Sequence, residues 1–354
     1  MALTAPSLSP AIIVREFDLT PVVPNVDTSL SGYVGQFKWG PVDVPTIIQT
    51  EEQLAQVFGV PDEERAVDYF SAAQFLRYSG NLIVNRTIPT GDVTRGDSAL
   101  NATSGGGGLL VKNEEHFESQ TVLDMFVAKY PGLLGSSIKV AVFAIESGES
   151  AESVNSITAW ENWEYADKFD AIPGTSEWAK NQPGTVRNDE THIAIIDENG
   201  LISGSKNSVL ETFAYVSVAK GAKTVDGGEN FMPNVLNGFS QMVWMGKFDS
   251  ANFSNGIHWG KAPSIAGTTD YAQNVSWSAD SASVTLGGGV DHTALDVGDY
   301  MLGWDNFEDA ETLDVSMLIA PGFNDEQSQV TIVNDLTSIA ALTRKDCIAV
   351  TSPN

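Results

Sequence analysis

The chain has 354 residues, of which 42% are apolar and 9% aromatic, a composition that is typical of a folded protein and too apolar for a disordered one. Its 19 basic and 46 acidic residues give a formal charge of −27, which disfavours binding to nucleic acid or to an anionic membrane surface. The single cysteine excludes an intrachain disulfide, and no apolar run approaches the ~20 residues of a membrane-spanning helix.

The first 24 residues predict an extended arm. Prolines at both ends exclude a helix, and the β-branched residues within Ala11–Phe17 favour a strand. A lone strand cannot satisfy its own backbone hydrogen-bonding groups. The segment must therefore pair within its own domain or with a neighbouring chain, and the residues alone leave both alternatives open.

Residues 31–88 predict strands and helices in alternation. The expected elements are a strand in Ser31–Pro41, a short strand at Thr46–Gln49, a helix at Glu51–Phe58, a helix at Asp62–Tyr78 and a buried strand at Asn81–Ile88. In the second helix, one apolar stripe is expected to hold Ala66, Phe70, Ala73 and Leu76. Strands joined through helices favour a parallel sheet.

The middle of the chain is less regular. Residues 89–108 predict a glycine-rich loop, and Ile138–Ile145 predicts a strand. Residues 146–188 lose periodicity and carry Trp160, Trp163 and Trp178, which indicates a surface excursion with its own aromatic cluster. Local packing is the more frequent role of such a cluster, and an aromatic-lined ligand groove is the alternative.

The last part of the chain returns to alternating elements. Asn199-Gly200 predicts a hairpin turn between the strands Thr191–Asp197 and Leu201–Val218. The further expected elements are a strand at Ser283–Leu286, a helix at Val297–Phe307, a strand at Asp314–Ala320, a helix at Ser328–Thr343 with Ser328 as N-cap, and a strand at Cys347–Thr351. The predicted fold class is therefore α/β, with a mixed sheet packed against helices.

Motifs for chemistry are weak. The four histidines, His116, His192, His258 and His292, are widely spaced, and only Asp291-His292 stands out as a candidate metal site. There is no Gly-x-Ser-x-Gly motif, and Cys347 lies in an apolar strand, which is typical of a buried thiol. We expect no catalytic residues, cofactor or metal, and this pattern favours a structural or assembly protein over an enzyme.

Four stretches of the chain resemble the tail sheath proteins of contractile bacteriophages. They are Ser9–Glu16, with Ala11 where the family usually has glycine; Gly32–Pro41 leading to Gly80–Arg86; Leu286–Gly289 with the helix to Trp304-Asp305; and Asp314–Gly322 leading to Arg344–Cys347. The likeness covers about residues 9–90 and 190–354. It is thin in between, where such proteins vary in their outward-facing insertions.

This resemblance implies a subunit of a six-fold helical sheath around an inner tube. The expected inter-subunit strand is Ile12, Ile13, Val14, Arg15 and Glu16, donated to a neighbour's sheet. The expected partners are neighbouring sheath subunits in hexameric rings, the inner tail tube protein and the baseplate, with no nucleic acid and no membrane insertion. Contraction is expected to be a rigid-body rearrangement of subunits in a virion tail assembled in the host cytoplasm.

The resemblance also divides the chain. We expect an extended N-terminal arm at 1–24, an α/β core domain formed by 25–90 and 190–354, and a variable insertion with surface loops at 91–189. Family members usually continue into a C-terminal tube-facing domain, which we expect this chain, ending at Asn354, to lack. The alternatives are a sheath-like subunit of a bacterial secretion or bacteriocin machine, or an acidic α/β enzyme or carbohydrate-binding module whose Trp160–Trp178 loop covers a cleft.

Overall fold

The computed structural model describes residues 30–89, 99–120, 123–145, 149–181, 188–219, 221–246, 281–292, 295–323 and 325–352. The strands are β1 Ser31–Gly35, β2 Thr46–Ile48, β3 Leu82–Arg86, β4 Phe126–Ala128, β5 Ile138–Phe143, β6 Glu190–Asp197, β7 Ser208–Ser217, β8 Val243–Met245, β9 Ser281–Thr285, β10 Met317–Ile319 and β11 Ile348–Val350.

The helices lie between these strands along the chain. They are α1 Glu51–Phe58, α2 Ala66–Leu76, α3 Glu114–Ser119, α4 Val154–Asn162, α5 Glu177–Lys180, α6 Met232–Phe239, α7 Val297–Asp305 and α8 Glu326–Ser338, which continues as a π-helical segment, Ile339–Arg344. Among the described residues, no helix is both long and apolar enough to cross a bilayer. The elements predicted for residues 31–88 and 297–351 are confirmed, with ends shifted by a few residues.

The first sheet has five strands in the order β11-β10-β1-β3-β2. Neighbouring strands from β11 to β3 run parallel, and β2 pairs antiparallel with β3. The predicted parallel β-α-β arrangement and mixed sheet are thus confirmed. The chain reaches β10 and β11 only after the second sheet is complete, so the first sheet joins the two ends of the described chain.

Helices cover both faces of the first sheet. The alternation of side chains along a strand sends Tyr33 to the face covered by α1 and α2, and Val34 to the face covered by α7 and α8. On the second face, α7 packs closely: a Cβ added at Gly303 would lie 2.5 Å from Val34 Cγ1. Glycine at this position therefore sets the distance between helix and sheet.

The second sheet has four antiparallel strands in the order β7-β6-β5-β9. A two-stranded pair, β4-β8, packs into the same apolar cluster. Strand β6 pairs with Ile138–Phe143 on one side and with β7 on the other, so residue 190, the expected boundary between insertion and core, lies at the start of a strand of this sheet. The division into arm, core and insertion stays a prediction.

Two details of the helices differ from the expectation. The buried face of α2 holds Asp68, Tyr69, Ala72 and Ala73, whereas Phe70 is 52% exposed, so the predicted stripe was rotated by about one residue. The N-cap of α8 is not Ser328 but Asp325, whose carboxylate accepts a hydrogen bond from the Ser328 backbone N–H. A carboxylate at this position also complements the helix dipole.

The hairpin after β6 has a longer loop than Asn199-Gly200 predicts. The second strand begins at Ser208 rather than at Leu201. The Asp197 carboxylate accepts hydrogen bonds from the backbone N–H groups of residues 200 to 203, with N···O distances of 2.6–3.1 Å. These bonds hold the residues after the turn around one side chain, which prevents them from joining the strand.

A buried arginine joins the first sheet to the segment that follows β4. Arg86, at the end of β3 and 1% exposed, donates three hydrogen bonds, from Nε to the carbonyl of Phe37 (2.9 Å), from Nη1 to Gly40 (2.8 Å) and from Nη2 to Pro131 (2.8 Å). Phe37 and Gly40 follow β1, whereas Pro131 follows β4. Burial lowers the pKa of the guanidinium, and the Asp291 carboxylate acts in the opposite direction. We call this set of contacts the Arg86 junction.

Replacing Arg86 by methionine is expected to lower the free energy of unfolding by about 3 kcal/mol or more, because each buried carbonyl left without a donor costs roughly 1–3 kcal/mol. The measurement is urea denaturation followed by circular dichroism. Arg77→Met, at the exposed end of α2, is the matched control and should change stability by less than about 0.5 kcal/mol. Equal midpoints for the two variants would contradict the role of the junction.

Candidate assembly surface

The predicted inter-subunit strand, Ile12–Glu16, lies outside the described residues. The described chain begins at Leu30, whose carbonyl accepts hydrogen bonds from the backbone N–H of Ser316 (2.8 Å) and from its hydroxyl (3.1 Å). The next residue, Ser31, starts β1 between β10 and β3. The segment for which the arm is predicted therefore precedes, along the chain, a central strand of the first sheet.

Strand β11 forms one edge of the first sheet. Ile348 is 60% exposed and Val350 is 41% exposed, although both are β-branched apolar residues. In register they lie beside Met317 and Ile319 of β10, both partly exposed. The edge therefore presents a short apolar strip, and β11 itself has neither a charge nor a proline, the usual protections of an edge strand.

One residue of β11 has backbone hydrogen-bonding groups that point away from the sheet. The Ile348 N–H donates to the Ser316 carbonyl (3.0 Å), and the Val350 carbonyl accepts from the Ala320 N–H (3.1 Å). Because backbone groups alternate in direction along a strand, the N–H and C=O of Ala349 point toward the open side of the edge. These groups have the geometry that an added strand requires.

The opposite edge, β2, is closed by its own surroundings. Pro45 precedes the strand, and the side chain of Gln53 in α1 donates to the Ile47 carbonyl (3.4 Å) while accepting from the Gln49 N–H (2.9 Å). The Ile47 carbonyl, which points away from the sheet, therefore has a hydrogen-bond partner within the chain. The two edges of the first sheet differ in that only β2 is capped by a side chain described here.

The candidate metal site Asp291-His292 is instead part of a cluster of arginine and carboxylate side chains around Arg65. Asp291 Oδ1 accepts from the Leu133 N–H (2.7 Å), and Arg65 Nη2 donates to the His292 carbonyl (3.1 Å). Burial and the nearby Arg65 and Arg86 guanidinium groups lower the pKa of His292 to about 3, so the imidazole is neutral at pH 7. Within the described ranges, no group of three His, Cys, Asp or Glu side chains is arranged to hold a metal.

The other described histidines and the cysteine have structural surroundings. His192 is neutral at pH 7, because burial lowers its pKa to about 4; Nε2 donates to the Ala171 carbonyl (2.7 Å) and Nδ1 accepts from the Tyr215 N–H (3.1 Å). Burial also lowers the pKa of His116 and raises that of the half-buried Cys347 thiol. His258 lies outside the described residues.

The three tryptophans of the surface excursion separate into two places. Trp160 and Trp163 pack against Phe143 of β5, with ring centroids 5.1 and 5.3 Å away. This aromatic cluster covers one face of the second sheet, so local packing is the role of these two rings. Trp178 lies apart from them, in α5.

A buried carboxylate links α2 to β1 and α7. Asp68 Oδ2 accepts hydrogen bonds from the Gln36 N–H (2.7 Å) and from the Tyr300 hydroxyl (2.8 Å), while the Tyr33 hydroxyl donates to the Asp68 carbonyl (2.8 Å). Burial raises the pKa of Asp68 to about 6, and the two hydrogen bonds to the carboxylate oppose this rise. The pKa of this carboxyl is shifted, and its hydrogen bonds connect α2 to the residue after β1 and to α7. These contacts are structural.

Sequence reasoning missed the Arg86 junction and the role of Asp68. The signal for Arg86 was its position within the strand Leu82–Arg86, which begins with three apolar residues. A charged residue in a buried strand needs partners inside the protein, and this could have marked Arg86 as structural. Asp68 offered a weaker signal, since it stands next to the apolar Tyr69 in an acidic chain. Neither residue is arranged with a nucleophile or a metal ligand among the described side chains.

Changing Asp68 to asparagine is expected to alter how stability depends on pH. The folded pKa of about 6 lies above the ordinary 3.8, so the folded chain takes up a proton between pH 6 and 4 that the unfolded chain does not. That proton stabilises the wild type at low pH, and the benefit is lost as pH rises. The stability of D68N relative to wild type should therefore rise by about 2 kcal/mol from pH 4 to pH 7.

The measurement is urea denaturation of both proteins at several pH values, in which the titration of His292 cancels because both carry it. Tyr300→Phe is the matched variant, since losing its hydrogen bond should raise the pKa of Asp68 further. A difference between D68N and wild type that stays constant from pH 4 to pH 7 would contradict the assignment.

Relatives of the chain are tail sheath proteins. The tail sheath protein of Salmonella phage ViI is 27% identical over 215 residues, which cover 59% of this chain and 29% of that protein. The one of Vibrio phage KVP40 is 33% identical over 96 residues, covering 27% of this chain and 13% of that protein. The one of Enterobacteria phage T4 is 35% identical over 81 residues, covering 23% and 12%. No family model matches the chain.

Two solved structures show a remote overall likeness. A sheath tail protein from Listeria innocua has a TM-score of 0.40 and 13% identity, over 88% of this chain and 44% of that one. One from Desulfitobacterium hafniense has a TM-score of 0.39 and 10% identity, over 92% and 52%. Likenesses below 0.5 are too remote to support a conclusion. The chain spans 29% of the length of the Salmonella phage relative, and the resemblance found from its motifs is confirmed: this chain is a relative of the phage tail sheath proteins.

Proposed function

We propose that this chain is part of a structural subunit of a contractile phage tail sheath, which polymerises as a helical tube around the inner tail tube. Three relatives that are 27–35% identical to parts of this chain are named as tail sheath proteins, and all three come from phages rather than from bacterial secretion machines. The structural observation that carries the proposal is the open, apolar edge at β11. An edge of this kind favours pairing with another chain.

The pairing strand in this proposal is the arm segment Ile12–Glu16 of a neighbouring subunit. Its residues Ile12 and Val14 share one side of an extended strand, so they can continue the apolar strip formed by Ile348 and Val350. The chain between Glu16 and Leu30 can extend at most about 50 Å, which allows the arm to reach beyond its own sheet. Backbone hydrogen bonds to Ala349 would supply the remaining contacts.

This pairing suits a subunit of high negative charge. Chains that carry a formal charge of −27 in this part of the subunit repel each other within a Debye length of about 8–10 Å at physiological salt. Backbone pairing and apolar contacts depend little on charge, so they can hold such subunits together. The arms then keep the lattice connected while subunits rearrange as rigid bodies during contraction.

The other partners follow from the same proposal. Neighbouring subunits form hexameric rings in a helix, the inner tube protein lies inside them, and the baseplate begins the lattice. The assembled protein is a component of the virion tail, put together in the host cytoplasm. No step of this function requires catalysis or a cofactor.

Deleting residues 1–20 is expected to abolish tube formation while leaving the fold intact, because the donated strand is lost and the first sheet retains all its own strands. The measurement is electron microscopy of the full-length protein with and without the deletion, together with circular dichroism of each. A folded deletion variant that still forms tubes would show that the arm does not link subunits.

Changing Ala349 to proline is expected to block tube formation, because it removes the outward N–H of β11 without removing a bond to β10. Proline is tolerated at such positions on edge strands, so the thermal midpoint should fall by only a few degrees. Ile47→Pro, at the equivalent outward position of β2, is the matched control and should still form tubes. If A349P forms tubes as well, the acceptor edge is not β11, whereas the deletion experiment tests the arm separately.

A further inference from the structure

The outer face of α2 presents apolar side chains to the surface. Val67 and Phe70 are each 52% exposed, and Tyr78, which follows the helix, is 90% exposed. Val67, Phe70 and Gln74 recur at i, i+3 and i+7, so they lie on one side of the helix. The exposed Arg77 stands at the end of that side. We call these five residues the α2 stripe, and an exposed apolar stripe of this kind is typical of a surface that contacts a partner.

A cleft of about 740 Å³ lies between α1 and the segments that follow β4, follow β6 and precede β8. Its lining is mostly apolar and includes the buried Trp39 and Leu134. It also includes Val60 and Leu201, each of which is more than half exposed. The volume exceeds that of any one side chain and lies within the roughly 300–1,000 Å³ of binding clefts. The cleft can therefore accept two apolar side chains of a partner.

The charges at the two surfaces are complementary. The cleft is lined by one amine, Lys38, and by one carboxylate, Glu52. The α2 stripe ends at Arg77, and Glu63 lies in the turn before α2. Within the ranges that the structure describes, none of these four side chains forms an ion pair or a hydrogen bond. Each surface thus offers one unpaired charge of each sign.

We propose that the α2 stripe of one copy docks into the cleft of a second copy of this chain. Val67 and Phe70, which are neighbours on the helix surface, enter the cleft as the apolar anchors. Arg77 then pairs with Glu52 of the second copy, and Glu63 with Lys38, so the charges fix the orientation of the helix. This is the binding of an amphipathic helix in an apolar groove.

The charge of the chain favours a second copy as the occupant. With 46 acidic and 19 basic residues, most surfaces of two copies repel each other. The α2 stripe has no carboxylate and ends on a cation, so it can approach an acidic copy. The stripe and the cleft are different surfaces of one chain, so the contact can be repeated from copy to copy. The inference goes beyond the proposed function, because it involves neither the arm nor β11.

The test is sedimentation velocity of the 354-residue chain over a range of concentrations. Phe70→Glu should weaken self-association at least tenfold, because it places a charge in the apolar cleft. Gln56→Trp should weaken it similarly, because Gln56 is an exposed residue of the cleft lining and the larger ring fills the space. Val154→Glu, at an exposed apolar residue of α4, is the matched control and should associate as the wild type does.

Exchanging the charges tests the orientation. Arg77→Glu and Glu52→Arg should each weaken self-association, because each places like charges opposite one another. The double variant restores the pair with reversed signs and should return to within about threefold of wild type. A purely structural role of either residue would not give this recovery. Circular dichroism of each variant separates loss of association from loss of folding.

Each variant is also measured together with Ala349→Pro, which removes the contact proposed for the arm. If A349P alone leaves association unchanged, the arm proposal fails, whereas a loss caused by F70E in either background still supports the cleft. The proposal is overturned if the wild-type chain stays monomeric at every concentration, or if F70E and Q56W associate as the wild type does. It is also overturned if the double charge variant associates no better than the single ones.

Discussion

The buried guanidinium of Arg86 ties the first sheet to the segment that follows β4. Its three donors end on carbonyls that follow β1 and β4, so a single charge is solvated by backbone from two separate parts of the fold. Moving these parts away from each other would leave that charge without its carbonyl partners in a nearly dry interior, which is among the most unfavourable changes a protein can undergo. We expect the two parts to move as one block. In the sheath lattice proposed for this chain, subunits would then rearrange by changing the contacts between such blocks.

Local patterns predicted most of the first sheet. The apolar runs at Ser31–Gly35 and Leu82–Arg86 each specify a strand on their own, and Glu51–Phe58 carries its acidic first turn and its terminal glycine within a few residues. Local patterns do not predict the order of the parallel strands in the sheet. It depends on which long connections pack together, so β11 could be recognised as a strand but not as an edge.

The residues that hold the structure together were harder to find, because their partners are distant in sequence. Arg86 bonds to residues 45 to 49 positions away, and Asp68 to a tyrosine 232 positions away. The Asn199-Gly200 pair predicted a two-residue hairpin turn, but Asp197 accepts hydrogen bonds from the backbone of residues 200 to 203 and lengthens the loop. For the candidate assembly surface, the motif resemblance predicts the arm, whereas the acceptor edge that we propose for it could be found only from exposed apolar residues on a sheet edge of the structure.

The attachment of residue 30 to a central strand has a mechanical consequence. Tension applied at Leu30 enters β1, which has a parallel neighbour on each side, β10 and β3. Pulling along the strand loads both ladders at once, so their hydrogen bonds resist together in shear instead of opening one after another from an edge. A tether fixed in this way can transmit a load into the body of the domain before the domain yields.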